Sequence, residues 1–504
     1  MPGHPSSSPN PFDWISDGAA APEDIALHTP AGNWSYGRLA GRAQRLAAGL
    51  AGGLGIRPGD RVACLDHNTP DFLATLFACA RLGAVMVPLN WRLALPEHDY
   101  ILENAGASAL IAGSAFASQA DALRGLRPDL PVLSPEILAE RGEDEAIPPA
   151  HTADEATPIL IVYTSGTTGR PKGAMLSHGA LLWNARNSLA LHDLTAADHV
   201  LTTAPLFHVG GLNIQTLPAL HVGARVTLHP RFDPAATLHA IATERPTQTV
   251  LVPVQMKAMI DSPVWADTDL SSLRMVVTGS SMVPLPLIEA FHARGVPVVQ
   301  VYGATETAPI AVCLSHADAV RKIGSTGTPA AHCEARIVDA AGNPLEPGMH
   351  GEIVVRGPNV MSGYWRNDTA TTEALKDGWF HTGDIGHVDH EGYFYVNDRK
   401  KDLIVSGGEN VYPAEIELIL AECPSVAEAA VVGRAHPHWG EVPIAVVVPN
   451  GGGDLDAETV LALFEDRLAR YKHPAEVVFI DALPRNAMGK VQKHVLRDMI
   501  AARS

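Results

Sequence analysis

Residues 162–178 read VYTSGTTGRPKGAMLSH. An apolar lead, Ile159 to Tyr163, runs into a stretch rich in hydroxyls and glycines, and a single lysine, Lys172, closes it. Backbone N–H groups of such a stretch can wrap anionic oxygens, and a lysine adds a point charge, so Thr164, Ser165, Gly166, Thr167, Thr168, Gly169 and Lys172 read as a phosphate cradle. A Walker loop needs glycine before the lysine and Ser or Thr after it. Here Pro171 precedes Lys172 and Gly173 follows, so that class is excluded. A plain Gly/Ser/Thr surface loop has the same composition, and the surrounding chain has to decide.

Upstream and downstream, from about Arg61 to Glu306, short β-branched runs alternate with helix-like segments: RVACLD, DFLATLFACARLG and AVMVPL, then LRMVVTG, LPLIEAFHARG and VPVVQVYG. This is β-α-β order and predicts an α/β body of parallel sheets covered by helices. From about Cys333 two strand-like runs flank AAGNPLEPG, a turn-rich link suited to antiparallel pairing in a small twisted β subdomain. Beyond NDRKKD come strand signals at AEAAVVG and PIAVVVPN and a helix signal at AETVLALFEDRLARY, which predict a small α+β cap. The expected division is 1–398 for the body and 399–504 for the cap.

At 504 residues the chain exceeds what one core can fill. No apolar run approaches the ~20 residues of a membrane-spanning helix, and the N-terminal MPGHPSSSPNPFDW lacks the basic and apolar regions of a secretion signal. The expected compartment is the cytoplasm. Cys64, Cys79, Cys313, Cys333 and Cys423 form no C-x-x-C pair, against zinc and disulfide frameworks. A net charge of −18 argues against nucleic acid as partner, so an anionic substrate must be held by local cations.

Five further stretches follow the opening one: PLFHVGG (205–211), VYGATET (301–307), WFHTGDIG (379–386), YVNDRKKDLIVSGGENVYPAEIE (395–417) and PRNAMGK (484–490). Taken together and in this order, the six resemble the signatures of the adenylate-forming superfamily of acyl-CoA synthetases, luciferases and peptide-synthetase adenylation domains. The resemblance implies ATP, Mg²⁺ and CoA as cofactors and co-substrates, with a small carboxylic acid as the other partner. It implies that Tyr302 stacks on adenine beside Gly303, that Thr305 meets the α-phosphate, and that Glu306 holds the metal. Gly279, Ser280 and Ser281 would line the adenine side. In TGSSMVP (278–284) Ser280 and Met282 depart from the commoner glycine and proline, which puts the shape of the acyl pocket in doubt.

By the same resemblance Asp384 accepts from the ribose hydroxyls, Arg399 holds ribose and phosphate, Lys401 is the hinge, and Lys490 reaches the α-phosphate. Gly407 and Gly408 would pass the pantetheine, with Arg470 and Lys472 near the nucleotide of CoA. His208 would line and gate the acyl site.

The implied reaction is attack of a carboxylate on the α-phosphorus of ATP, loss of pyrophosphate, and displacement of AMP by a thiol. It needs no side-chain nucleophile, in accord with the absence of a G-x-S-x-G elbow. The implied pocket near His208, Gly210, Gly211, Val254, Met256, Thr278, Gly279, Ala304, Ala308 and Pro309 is small or apolar, with no arginine for a second carboxylate. A fatty acid is the first reading of the substrate and an aromatic, cinnamate-like or benzoate-like acid the alternative. A carrier protein as acceptor and a silent nucleotide-binding protein are the rivals; the latter would usually lack Lys490 or Glu306.

Overall fold

The computed structural model describes all residues except 1–5, 19, 165–170, 281–282, 400–401, 407–408, 438, 452–454, 466, 469, 487–488 and 504. Two compact units are present: one of Met1–Ser280, Leu287–Ala335 and Val355–His381, the other of Ser281–Pro286, Arg336–Val354 and Thr382–Ser504.

In the first unit, the β-α-β segments form two sheets. One is ordered Val132–Leu133, Ala109–Ala112, Arg61–Leu65, Val85–Pro88, Pro158–Thr164, Lys172–Ser177 and Gly363–Tyr364. Its first five strands run parallel. Alternation along them turns Ala63, Leu65, Val85, Val87 and Leu110 to one face, where they pack on Ile101, Leu102, Ala105 and Leu123. The helix Pro70–Leu82 is buried along most of its length; Thr69 caps its start, and Gly83, at φ 69°, ends it.

The second sheet is ordered Gly32–Ser35, Ile25–Thr29, Arg225–Leu228, His199–Thr202, Gln248–Val250, Met275–Gly279, Val298–Tyr302, Val312–Cys313 and Thr328–Pro329. Six consecutive strands, from Ile25–Thr29 to Val298–Tyr302, are parallel. Val250, Met275, Val277, Val299 and Val301 share one face with Ile214 and Ile310. Thr278 and Gln300, which pair in register, belong to the alternate set.

The opening stretch departs from the parallel order. Pro158–Thr164 and Lys172–Ser177 are an antiparallel hairpin in register Thr164↔Lys172, Tyr163↔Gly173 and Val162↔Ala174. Lys172 therefore begins a return strand, and Ser177, whose side chain accepts from Ala180 N, caps the helix His178–His192 that follows. A Walker lysine would stand at a helix N-terminus; the hairpin removes that geometry.

A five-stranded sheet runs Glu334–Val338, Gly351–Arg356, Trp379–Val388 and Leu375–Lys376, with Phe394–Arg399 also paired to Trp379–Val388. It occupies the region where a small β subdomain was expected. In the second unit, Val426–His436 and Gly440–Pro449 form a long hairpin, and Glu476–Phe479 lies parallel to the latter. Val431, Ala445 and Val447 face Ile416, Ile419 and Leu420 of the helix Pro413–Ala421. Ala430, Val432, Ile444 and Val446 face Leu496 and Ile500 of the helix Lys493–Ala501.

The helix expected over AETVLALFEDRLARY is shorter than its pattern. It covers Ala457–Ala462, and the chain then tightens into i→i+3 bonds, Leu463 N to Val460 O, Phe464 N to Leu461 O and Glu465 N to Ala462 O. Burying Phe464 in the core of the second unit takes precedence over continuing the helical repeat.

Where Arg61–Leu65 ends, Asp66 is buried, and it accepts from Thr69 Oγ1 at 2.6 Å and His67 N at 2.8 Å. Burial outweighs these bonds and pushes its carboxyl up to about 6, above the ordinary 3.8. A raised pKa means that the folded state binds the proton more tightly. The stability linked to it is complete below about pH 4 and is lost as pH rises through about 6. Urea titrations from pH 4 to 7 should show the native midpoint falling relative to that of Asp66→Asn across this window; parallel profiles would exclude the effect.

Candidate active site

The carboxyl ends of parallel strands are where open α/β sheets bind ligands, and here Met275–Gly279 and Val298–Tyr302 end side by side. Gly279 pairs with Val301, and a Cβ on Gly279 would lie 2.4 Å from Val301 O. Tyr302 is buried at the end of its strand. At Gly303 the chain folds back so tightly that a Cβ would lie 1.7 Å from Pro309 O.

The turn Thr305–Thr307 follows, and its groups are bonded from several directions. Thr307 Oγ1 accepts from Ala304 N at 2.9 Å and donates toward Pro309 O at 3.0 Å. Asn359 Nδ2 donates to Thr307 O at 2.6 Å and Ile310 O at 2.8 Å, and Ile310 N donates to Asn184 Oδ1 at 3.0 Å. Thr305 and Glu306 are thereby held buried, Glu306 with 8% of its surface exposed.

Glu306 is anchored twice. Met361 N donates to its carbonyl at 2.7 Å, and Tyr364 Oη donates to its Oε1 at 2.7 Å. Tyr364 belongs to the strand paired with the hairpin of Pro158–Thr164 and Lys172–Ser177, in register Tyr364↔Ala174, and Lys172 Nζ stands 5.4 Å from its ring centroid. The structure so gathers Tyr302, Gly303, Thr305, Glu306, Gly279, Thr164 and Lys172 in one unit. Ser280 adopts φ 71° and is exposed. Ser165, Gly166, Thr167, Thr168, Gly169 and Ser281 lie outside the described residues.

Tyr364 is absent from the sequence-derived set. Its signal, a Gly-Tyr pair in MSGYWRND, carries no chemistry by itself; only pairing with the hairpin brings it to Glu306, 58 residues away.

His208 is half-buried, and its Nδ1 accepts from Gly210 N at 3.0 Å. That bond leaves Nε2 as the protonated nitrogen of the neutral ring. Asn68, also missed by sequence reading, fixes the preceding loop: its Oδ1 accepts from Leu206 N at 2.8 Å, and its Nδ2 donates to Ala204 O at 2.9 Å and His229 O at 3.1 Å. Gly211 admits no side chain, since a Cβ would lie 2.3 Å from Pro205 O. Met256, Thr278 and Ala308 are fully buried, whereas Val254 is 58% exposed. Val254 sits in the first turn of the helix Pro253–Ile260, and Gln255 and Met256 take the inward positions.

In the second unit Asp384 is buried and pairs by backbone with Arg399. The side chain of Arg399 and residues Lys401, Gly407 and Gly408 lie outside the described residues. Lys472 donates to Glu415 Oε2 at 2.6 Å. Lys490 is exposed at the end of a tight turn in which its N donates to Asn486 Oδ1 at 3.0 Å and its carbonyl accepts from Asn486 N at 2.9 Å.

Among the described residues no group of three or more His, Cys, Asp or Glu could hold a metal by itself. A buried carboxylate steadied on one oxygen by a tyrosine fits a different case, a Mg²⁺ that takes one protein carboxylate and completes its octahedron with phosphate oxygens and water.

These groups form a candidate site for a nucleotide-using α/β enzyme. The family model described as AMP-binding enzyme matches residues 16–365, and that of the AMP-binding enzyme C-terminal domain matches residues 415–490. Over 98% of both chains the protein is 54% identical to an indoleacetate–CoA ligase of Aromatoleum aromaticum. Over 92% of this chain and 93% of the relative it is 47% identical to a feruloyl-CoA synthase of an Amycolatopsis species. The o-succinylbenzoate CoA synthetase of Bacillus subtilis, solved with its acyl-adenylate OSB-AMP, aligns with a TM-score of 0.89 at 34% identity over 99% of each chain. The same enzyme is also solved with ATP and magnesium ion. The chain belongs to the AMP-binding enzyme family and is an ATP-dependent, AMP-forming acid–CoA ligase that uses Mg²⁺ and CoA. No described helix is long and apolar enough to cross a membrane.

Because the space beside Gly303 is filled by a backbone carbonyl, Gly303→Ala must displace the Thr305–Thr307 turn. Pyrophosphate exchange into ATP should fall by roughly 10²-fold, the scale of losing one preorganised donor. Retention of full exchange would show that the turn tolerates the shift.

Proposed function

We propose that the chain activates an aryl or arylalkanoic acid, a compact aromatic carboxylate, and passes it to CoA. The observation that carries this reading is the pair of relatives named for indoleacetate and ferulate, each aligned over more than nine-tenths of both chains. The fatty-acid reading becomes the alternative. The acyl-side residues Gly210, Gly211, Met256, Thr278, Ala304 and Ala308 are small or apolar, and none of them is a cation that would pair a second carboxylate.

The carboxylate oxygen attacks the α-phosphorus of ATP, the bond from that phosphorus to the β-bridging oxygen breaks, and pyrophosphate leaves. The thiolate of CoA then attacks the acyl carbon, AMP leaves, and the thiol proton passes to solvent. Tyr302 stacks on adenine, Asp384 and Arg399 hold the ribose, Thr305 and Lys490 neutralise charge growing at the α-phosphate, and the hairpin with Lys172 grips the β- and γ-phosphates. Glu306 holds Mg²⁺, which when bound offsets the charge of the departing pyrophosphate. His208, fixed through Gly210 and Asn68, borders the acyl group. The body would end at residue 398 and the cap begin at 399, turning about Lys401 between half-reactions, with Gly407, Gly408 and Lys472 serving CoA.

The test is a panel of acids, among them indole-3-acetate, ferulate, 4-coumarate, benzoate, hexadecanoate and malonate, assayed for pyrophosphate release with and without CoA. An aryl acid should exceed hexadecanoate in kcat/KM by at least about tenfold, within the range one hydrophobic pocket can discriminate. A preference for hexadecanoate would overturn the reading.

Lys490→Ala should lower adenylation by roughly 10²–10³, or about 2.7–4 kcal/mol. The variant should keep thiolysis of a supplied acyl-adenylate; equal loss in both half-reactions would remove Lys490 from the first step.

A further inference from the structure

Tyr364 touches two charged groups of the nucleotide site from a segment that none of its motifs contains. Its hydroxyl donates to Glu306 Oε1 at 2.7 Å, and its ring lies under Lys172 Nζ, 5.4 Å from the centroid. The backbone enforces the position. Ser362 N donates to Met175 O at 2.9 Å and Trp365 N to Gly173 O at 2.7 Å, so residues 362–365 are stitched along the return strand that begins with Lys172. Met361 N, one residue before, donates to Glu306 O at 2.7 Å. Trp365 Nε1 and Tyr163 Oη both bond to Asn104, at 3.1 and 2.6 Å, which locks the far side of the hairpin to the same segment. Gly363, at φ 144°, allows the backbone to make this crossing, and a Cβ there would lie 2.8 Å from Thr371 Cγ2.

One side chain therefore acts on both partners of the triphosphate. A phenol donating to one carboxylate oxygen fixes the rotation of the carboxylate and directs its second oxygen. The face of the same ring is the negative end of its quadrupole and favours an ammonium above it. We infer that Tyr364 is a positioning residue that couples Lys172 to Glu306, so that the grip on Mg²⁺ and the grip on the β- and γ-phosphates are set together. This rests on the assignment of Glu306 to the metal and Lys172 to the leaving group in the function proposed above.

Without an acid no adenylate forms, so calorimetric binding of ATP to the full chain, with Mg²⁺ or with EDTA, reads the metal's contribution apart from catalysis. The wild-type chain should bind ATP more tightly with Mg²⁺. Tyr364→Phe keeps the ring and removes the hydrogen bond; partners behind a metal ligand are worth about 10–100-fold in affinity, and the Mg²⁺-dependent gain should shrink by at least about tenfold. AMP binding, which needs no metal, should stay within about twofold, the outcome that a merely structural role would not give. Tyr364→Leu, which also removes the ring, should in addition weaken pyrophosphate binding about two- to tenfold.

Glu306→Gln separates the two levels of the argument. If it loses the Mg²⁺ gain and Tyr364→Phe keeps it, the coupling is overturned and the site assignment stands. If Glu306→Gln keeps the gain, the assignment of the metal falls and the coupling with it. Equal weakening of AMP and Mg·ATP by Tyr364→Phe also overturns the coupling, since it marks general damage.

Discussion

The carbonyl of Pro309 lies where a side chain at position 303 would have to be, and the turn Thr305–Thr307 depends on that contact. A glycine lets the chain leave the strand Val298–Tyr302 and fold straight back, and the return leaves several backbone groups buried within a few residues of each other. Buried backbone N–H and carbonyl groups without partners are costly. Asn359, Asn184 and the hydroxyl of Thr307 supply those partners from three separate parts of the chain. Thr305 and Glu306 are consequently presented at the end of a parallel sheet by a turn whose own polar groups are satisfied.

Charge is then managed locally. The chain is acidic overall, with a net charge of −18, so no broad field draws a triphosphate in. The candidate site offers instead a small set of groups with enforced positions: Lys172 at the start of a return strand, Glu306 on its turn, and Tyr364 between them. A lysine on a strand edge beside an aromatic face is held more firmly than one on a flexible loop. In the second unit the basic residues are engaged with acidic ones in the same manner, Lys472 with Glu415, Lys493 with Glu417 and Arg497 with Asp402. None of these side chains is exposed, and each pair fixes the direction of its partners.

Much of this was legible before the fold was known. Alternating β-branched and helical runs announce a parallel α/β body because a strand buried on both faces reads as an apolar run and its crossover as a helix. Lys172 in its Gly/Ser/Thr loop was readable as a phosphate-binding candidate from residue chemistry, whereas Tyr302, Thr305 and Glu306 became candidates only through the resemblance of their motifs to those of a known family. The hairpin at 158–177 was not legible as such: a strand followed by a glycine-rich loop is the same string whether a helix or a return strand comes next, and pairing with Gly363–Tyr364 decides it. The length of the Ala457–Ala462 helix was not legible either, because its periodic pattern continues past the point where Phe464 turns into the core. Val254 could not be told from Met256 by hydropathy; burial separates them.

By itself the sequence determined the class of fold and a Gly/Ser/Thr loop without Walker chemistry, and it offered candidate adenine, metal and phosphate residues through motifs that resemble those of a known family. Fold class and loop chemistry are local properties, encoded in composition and in spacings of a few residues. Only the tertiary structure decided that Tyr364 stands between Lys172 and Glu306, that Asn68 holds the loop before His208, and that Gly303 is filled from behind by Pro309. Tyr364 and Asn68 meet partners 58 and 138 residues away. Even the near contact at Gly303 needs Asn359 and Asn184 to hold its turn, and strand register sets which side chains of a long chain come within hydrogen-bonding reach.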